Sequence, residues 1–240
     1  MIKNSKETLI SGWGGYPTRR TNMVYPKNIE QIQNEIKKSD LIARGNGRAY
    51  GDSSINEKNT ISMKYFDHIL SFDDSSGILV AESGILLEDV INTFLPRGWF
   101  PYVTPGSKFT SIGGLIAADV HGKNHHKEGS FRNFVDWFEL INSKGEIKRC
   151  SKNENTELFE WTIGGMGLTG VIIKAAIKLR PVKTCWIKQK TLVAKNIEQT
   201  MDIFEKTMNA TYSVAWINST SNKKNLGQSL IMFGEHASIE

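Results

Sequence analysis

The sequence predicts an α+β protein in two parts. Three observations carry this. Two pairs of short apolar runs are each joined by turn-forming residues, Asp73-Asp74-Ser75-Ser76-Gly77 and Ser143-Lys144-Gly145, the pattern of antiparallel hairpins. Short helical stripes are interspersed with them. Beyond Pro181 the pattern changes to strand, helix, strand. The expected division is therefore a first domain over residues 1–182 and the beginning of a second over 183–240.

In chain order, Pro26 opens a helix with Ile29, Ile32 and Ile36 on one face. Residues 40–43 read as a short strand running into the loop ARGNGRAYGD. Runs 69–72 and 78–81 form the first hairpin. Leu87, Val90, Ile91 and Phe94 make a helical stripe stopped by Pro96 and Gly98. A strand is expected at 100–103. Runs 137–142 and 146–150 form the second hairpin. A short helix at 157–161 leads into TIGGMGLTG, and a strand follows at 171–179. The second part reads as strand 186–193, helix 197–208 and strand 212–217. About sixty residues bury little core alone; the second domain is expected to be truncated.

The composition excludes several classes. Of 240 residues, 39% are apolar and 23% charged, as in ordinary globular proteins rather than disordered ones. The 30 basic and 25 acidic residues leave a net charge of +5, scattered rather than gathered into a nucleic-acid-binding arm. A mild positive surface suits an anionic small molecule, and no nucleic acid is expected as a partner. Residues 1–15 lack a signal-peptide core, and no apolar run is long enough to cross a bilayer. The expected location is cytoplasmic, with peripheral membrane contact compatible. Cys150 and Cys185 show no ligand spacing and read as buried free thiols.

Four segments can carry chemistry. In Arg44-Gly45-Asn46-Gly47-Arg48-Ala49-Tyr50-Gly51-Asp52, successive backbone N–H groups can form an anion-binding concavity, with two arginines adding charge. No helix follows the glycines directly, which argues against a Rossmann unit. A plain glycine turn is the competing reading. In Ser111-Ile112-Gly113-Gly114, the serine can cap a short helix while the glycines admit a ligand to the backbone; close helix packing is the alternative. In His121-Gly122-Lys123-Asn124-His125-His126, a metal is the first thought. Gly122 weakens a helix there and no cysteine or nearby carboxylate completes a ligand set, so no metal is expected. His121 and Lys123 are the better placed for a ligand. Gly164-Gly165-Met166-Gly167-Leu168-Thr169-Gly170 is either a tight loop or a further ligand wall. Three glycine-rich segments in one domain suit a long, flat, anionic ligand, and flavin adenine dinucleotide (FAD) is the natural candidate.

With these motifs in place, the sequence resembles the FAD-linked oxidases of the vanillyl-alcohol-oxidase type. The resemblance starts at Ser11-Gly12-Trp13-Gly14 and runs through ARGNGRAYGD, LPRGW, VTPGS, the block from Gly113 through HGKNHH, GSF at 129–131, ELF at 157–159, GGMGLTG and TYSVAW at 211–216. HGKNHH in this context is its most specific part. The resemblance implies a two-subdomain FAD-binding domain with the cofactor between the subdomains, followed by a partial α+β substrate domain. It places the pyrophosphate on Ala43, Arg44, Gly45, Asn46, Gly47, Arg48, Ala49, Tyr50, Gly51, Asp52 and Ser53. Gly106, Ser111, Ile112, Gly113, Gly114, Ala118, Asp119, Val120 and His121 line the rest, with Ile172 nearby.

Many relatives attach the flavin to a histidine in the first glycine loop. Arg48 and Ala49 stand at those positions here, which implies noncovalent FAD. His121, Lys123 and Tyr50 match residues on the flavin and substrate side and are the catalytic candidates. The implied reaction oxidises a sugar hydroxyl to a ketone by hydride transfer to flavin N5. The substrate class is a polyprenyl-phosphate ribose, and a partner ketoreductase would take the product. A sugar-lactone or alditol oxidase, and an FAD-binding fragment without catalysis, are the alternatives. A nucleic-acid-binding domain would need basic and aromatic residues clustered in one motif, which this chain lacks.

Overall fold

The computed structural model describes residues 5–239. Residues 1–4 and 240, the outer limits of the two expected domains, lie outside the described residues. Helices and sheets are mixed along the chain as α+β patterning predicts. Strands β1 (Ser5–Ser11), β2 (Thr18–Val24), β3 (Leu41–Arg44) and β4 (Asn59–Ser62) form a four-stranded sheet in the order β1-β2-β4-β3. β1 and β2 are antiparallel, whereas β4 runs parallel to both its neighbours. Helix α1 (Ile29–Lys38) is the crossover from β2 to β3. Asn28 caps it by accepting from the Gln31 amide at 3.0 Å, and Gln31 accepts in return from the Lys27 amide at 2.8 Å. The first bond satisfies an amide that the first helical turn leaves without a partner, and the second ties the residue before the cap to that turn. Ile32 buries the inner face of α1.

The second sheet holds β5 (Ile69–Asp73), β6 (Ile78–Glu82), β7 (Trp99–Pro101), β8 (Val135–Ile141), β9 (Ile147–Ser151) and β10 (Val171–Pro181). Its path is β5-β6-β10-β8-β9, with β7 paired to the end of β10. β5–β6 and β8–β9 are the two hairpins whose turns the sequence marks. Four helices belong to this part: α2 (Leu87–Phe94), α3 (Ile112–Ala117), α4 (His125–Glu128) and α5 (Thr156–Thr162).

β10 organises the core. Its apolar run is buried on both faces. Val171 and Ile173 join Ile32, Ile61, Met63 and Ile141 in the cluster that seats the first sheet and α1. Ile172, Ala175, Ile177 and Leu179 join Val90, Phe94, Leu115, Phe138 and Phe159 beneath α2, α3 and α5. A strand packed on both sides loses the alternation of a half-exposed strand and reads as a continuous hydrophobic segment.

β10 ends at Pro181, and β11 (Ile187–Ala194) begins a separate three-stranded sheet. Helix α6 (Ile197–Lys206) and strands β12 (Tyr212–Ile217) and β13 (Ser229–His236) complete it, in the order β11-β13-β12. α6 is capped as α1 is: Asn196 accepts from the Gln199 amide at 2.9 Å, and Gln199 accepts from the Lys195 amide at 2.7 Å. Its core is small: Ala194, Ile231 and Phe233 pack with Ile203 and Phe204.

Two differences from the sequence reading concern strands and thiols. β1, β2, β4 and β13 were not expected. Along β1 only Ile10 is buried, so no apolar alternation marks it, and β4 has four residues. The expectation of two buried thiols is corrected. Cys150 is buried and Cys185 is exposed, because Cys185 lies between sheets rather than under one. Burial, assisted by Glu154, pushes the Cys150 thiol up to about 11.

Candidate cofactor-binding site

Three glycine-rich segments converge on one cleft. It has a cavity volume of about 140 Å³ and opens to solvent at its mouth.

The first wall is the loop that follows β3. Gly47 sits at φ +66° and Gly51 at φ +58°, conformations that glycine adopts without a Cβ penalty. Arg44 braces this loop from behind. Its guanidinium donates to the Ser11 carbonyl at 2.7 Å and to Ser54 Oγ at 3.1 Å. Burial, then the charge of Arg48, pull Arg44 down from the ordinary arginine value. The Trp13 amide donates to the Ala49 carbonyl at 2.8 Å, so residues 11–13 form the outer support of the loop. The Arg48 guanidinium lies over the rings of Trp13 (4.8 Å) and Phe109 (5.8 Å), and Asn46 donates to the Phe109 carbonyl at 3.0 Å. Those contacts tie the first wall to the second.

The second wall is the start of α3. Ser111 caps the helix, its Oγ accepting from the Gly114 amide at 3.3 Å. A Cβ on Gly45 would strike the Ser111 side chain, and one on Gly114 would lie 3.2 Å from Ser111 Oγ. The first wall therefore meets the second at Gly45, where the absent side chain leaves room for that of Ser111. The third wall is the segment before β10, where Met166, Gly167 and Gly170 line the cleft. The Gly164 amide donates to Ile116 (3.1 Å) and the Met166 amide to Ala117 (2.8 Å), docking this segment on the end of α3.

Of the residues expected to bind the cofactor, Ala43, Gly45, Asn46, Gly47, Arg48, Ala49, Ser53, Ser111, Gly113, Gly114, Ala118, Val120 and Ile172 line the cleft. Arg44, Tyr50, Gly51, Asp52, Gly106, Ile112, Asp119 and His121 do not. The reasons differ. Ile112 is buried in the hydrophobic core, and Tyr50 is 80% exposed. Asp119 turns its carboxylate onto Arg132, accepting from the backbone amide at 3.0 Å and from Nε at 3.4 Å. Arg132 also pairs with Glu160.

The histidine motif lies outside the cleft. His121 stacks edge-on against His125, with centroids 5.3 Å apart. Asn124 is fully buried and donates to the Tyr102 carbonyl at 2.7 Å. Lys123 and His126 make contacts with the carboxy-terminal sheet through main-chain carbonyls.

Residues that sequence reasoning did not assign also line the cleft: Ser54, Met63, Ser83, Thr110 and Ala117. Met63 and Ser83 stand outside every glycine motif, and nothing in their local sequence distinguishes them.

The cleft fits a flat, polar cofactor. Among the described residues, three buried side-chain polar atoms have no hydrogen-bond partner: Arg48 Nε, Ser83 Oγ and Asn124 Oδ1. Two of the three belong to cleft-lining residues. Buried polar groups in folded proteins are nearly always paired, so partnerless ones gathered in one cleft call for a ligand. The glycine walls allow close approach to the backbone, and Arg48 offers a positive charge.

A family model described as the FAD binding domain matches residues 21–151. The chain belongs to the FAD-binding domain family. The matched segment contains the first two walls and the histidine motif. The third wall and the carboxy-terminal sheet follow it in the chain.

Relatives extend the likeness. The chain is 31% identical to decaprenylphosphoryl-beta-D-ribose oxidase of Mycolicibacterium smegmatis, over 96% of this chain and 52% of that protein. It is 25% identical to D-arabinono-1,4-lactone oxidase of Candida albicans, over 78% of this chain and 37% of the relative. It is 32% identical to cytokinin dehydrogenase 5 of Arabidopsis thaliana, over 44% of this chain and 20% of the relative. The chain spans about half the length of the first of these and less of the others. Likeness to FAD-linked oxidases of the vanillyl-alcohol-oxidase type is thus found by comparison as well as by motif. Among the described residues, no helix is long and apolar enough to cross a membrane.

Proposed function

We propose that this chain is the cofactor-holding part of an FAD-dependent oxidoreductase that oxidises a sugar hydroxyl to a ketone. The observation that carries the proposal is the cleft itself, walled by three glycine segments and containing two partnerless buried polar atoms. Bound FAD would supply the hydride acceptor. The chain's own residues would bind and position. The loop after β3 would present backbone amides to the pyrophosphate, with Arg48 offsetting its charge. Gly113 and Gly114 would let the ring system lie on the backbone. Arg48 and Ala49 offer no histidine for attachment, which supports noncovalent binding.

The substrate side is assigned to His121, Lys123 and Tyr50. Lys123 would hold an anionic group or polarise the sugar oxygen, and His121 would orient a hydroxyl. The 31% identical relative carries the name of a decaprenylphosphoryl-ribose oxidase, which favours a polyprenyl-phosphate ribose as substrate. A ketone product would then pass to a reductase, and a lipid-linked substrate would bring the protein to a membrane surface. The D-arabinono-1,4-lactone oxidase relative supports a second reading, a sugar-lactone substrate. We assign residues 1–182 to the FAD-binding domain and 183–240 to the beginning of a substrate domain.

Purified protein should carry yellow flavin absorbance that denaturation releases into solution. A colourless protein that takes up no added FAD rejects the proposal. Anaerobic bleaching by a polyprenyl-phosphate ribose, and not by an aldono-lactone, separates the first substrate reading from the second.

A further inference from the structure

We infer that Ser83 is a cofactor-binding residue, its hydroxyl hydrogen-bonding to an uncharged polar atom of the flat cofactor held in the cleft. This rests on the flavin reading above and adds a contact point that no sequence motif marks.

Ser83 follows β6 directly, and both its main-chain groups are used. Its amide donates to the Ile173 carbonyl at 3.0 Å, and its carbonyl accepts from the Gly113 amide at 2.7 Å. The residue is 2% exposed, lines the cleft, and its hydroxyl has no partner. Several other buried hydroxyls among the described residues are paired. Thr21 and Thr60 bond each other at 3.0 Å, Thr200 and Ser229 at 2.7 Å, and Thr162 donates to the Leu158 carbonyl at 2.6 Å. Ser111, in the facing wall, receives the Gly114 amide. A shielded hydroxyl left without a partner in the wall of a cleft is one that a ligand there can complete.

The position is also held rigidly. A Cβ on Gly84 would lie 2.8 Å from the Phe66 carbonyl oxygen, so the chain at 83–84 is wedged against its neighbours. A Cβ on Gly113 would sit 3.0 Å from Ser83 Cβ. The absent side chain there leaves the serine room to face the cleft. Beside Ser83 the floor is apolar, formed by Met63 and Ile172. A neutral hydroxyl on an apolar floor matches an uncharged ring or sugar atom, whereas the charged Arg48 loop suits a phosphate.

The test compares wild type and Ser83→Ala, each stripped of cofactor and titrated with FAD by flavin fluorescence and absorbance. Thermal melting of the stripped proteins is measured alongside. The inference expects Ser83→Ala to raise the FAD Kd about five- to tenfold, the usual worth of one hydrogen bond, and to shift the bound-flavin absorption bands. It expects the melting temperature of the stripped variant to stay level or rise, since an unpaired buried hydroxyl has been removed. A purely structural serine would instead lower that melting temperature and leave Kd and spectrum unchanged. Equal Kd and spectrum in the two proteins overturn the role of Ser83 and leave the flavin reading standing. A wild type that takes up no FAD overturns the flavin reading and, with it, this inference.

Discussion

The backbone amide of Ser213 donates a 2.8 Å hydrogen bond to the carbonyl of Lys123. The bond joins the edge strand β12 to the histidine motif that follows α3. Two neighbours reinforce it. His126 Nε2 lies 2.8 Å from the Ala210 carbonyl, and Lys127 Nζ donates to the Asn209 carbonyl at 2.9 Å. Residues that look like chemistry in the sequence therefore also attach the carboxy-terminal sheet. Because the Ser213 amide points away from β13, proline at 213 removes this bond without removing one from the ladder. Ser213→Pro should cost about 1 kcal/mol and speed proteolysis within 183–240. Unchanged melting and cleavage would reject the attachment role.

Lys123→Ala keeps the backbone carbonyl and removes only the ammonium. FAD affinity should stay within about threefold of wild type, while substrate-driven bleaching slows roughly tenfold or more, as for loss of a charged hydrogen-bonding group. Stopped-flow absorbance reads both. Loss of FAD binding in this variant would place Lys123 on the cofactor rather than the substrate.

Gly114→Val should abolish FAD uptake while the stripped protein keeps its far-ultraviolet circular dichroism. The first added carbon already lies 3.2 Å from Ser111 Oγ, and the branch would occupy the cleft. Ser111→Ala is the comparator. It removes the helix cap at a cost of about 1 kcal/mol but leaves the cleft open, so FAD binding should survive. Equal binding by Gly114→Val and wild type would refute the second wall.

Arg48→Met keeps an apolar stem between Trp13 and Phe109 and removes the charge. The FAD Kd should rise roughly ten- to hundredfold, the range for a charged hydrogen bond. Its dependence on salt should become shallower. A Kd and salt slope matching wild type would show that Arg48 serves the fold alone.

His236 sets a pH dependence. Its Nε2 lies 2.9 Å from the Tyr212 hydroxyl, and its ring packs edge-on against Phe100. Burial, then the Arg180 charge, pull its pKa below the ordinary 6.5, with Glu235 opposing. Arg180 in turn pairs with Glu128 at 3.4 Å. The folded imidazole binds its proton less readily than the unfolded one. Stability is therefore full above the unfolded pKa and declines as pH falls below about 6.5 toward the folded value. The melting temperature should drop between pH 7 and pH 5, and less in His236→Gln. Parallel profiles would exclude this histidine as the cause.

Much of the architecture is legible in the chain because its periodicities are strong. Ile29, Ile32 and Ile36 mark α1, and the turns at 73–77 and 143–145 mark two hairpins. β1 and β4 escape because one is largely exposed and polar and the other has four residues. The glycine loops announce the cleft walls, since a ligand on a backbone needs residues without side chains. Within those loops, however, Ile112 serves the core and Asp119 serves Arg132. Sequence spacing does not tell a residue that faces the cleft from its neighbour that faces inward.

By itself, then, the sequence determined the α+β pattern, the three glycine walls and the likeness to FAD-linked oxidases, all of which are local signals carried within a few residues. Only the tertiary structure decided that Met63, Ser83 and Ile172 share one floor. It also decided that Asp119 is already paired while Ser83 is not. The physical reason is that a side chain's unmet hydrogen bond is a property of its neighbours in space. Those neighbours are brought together by the pairing of β10 with β6 and β8 and by the docking of α3 across them.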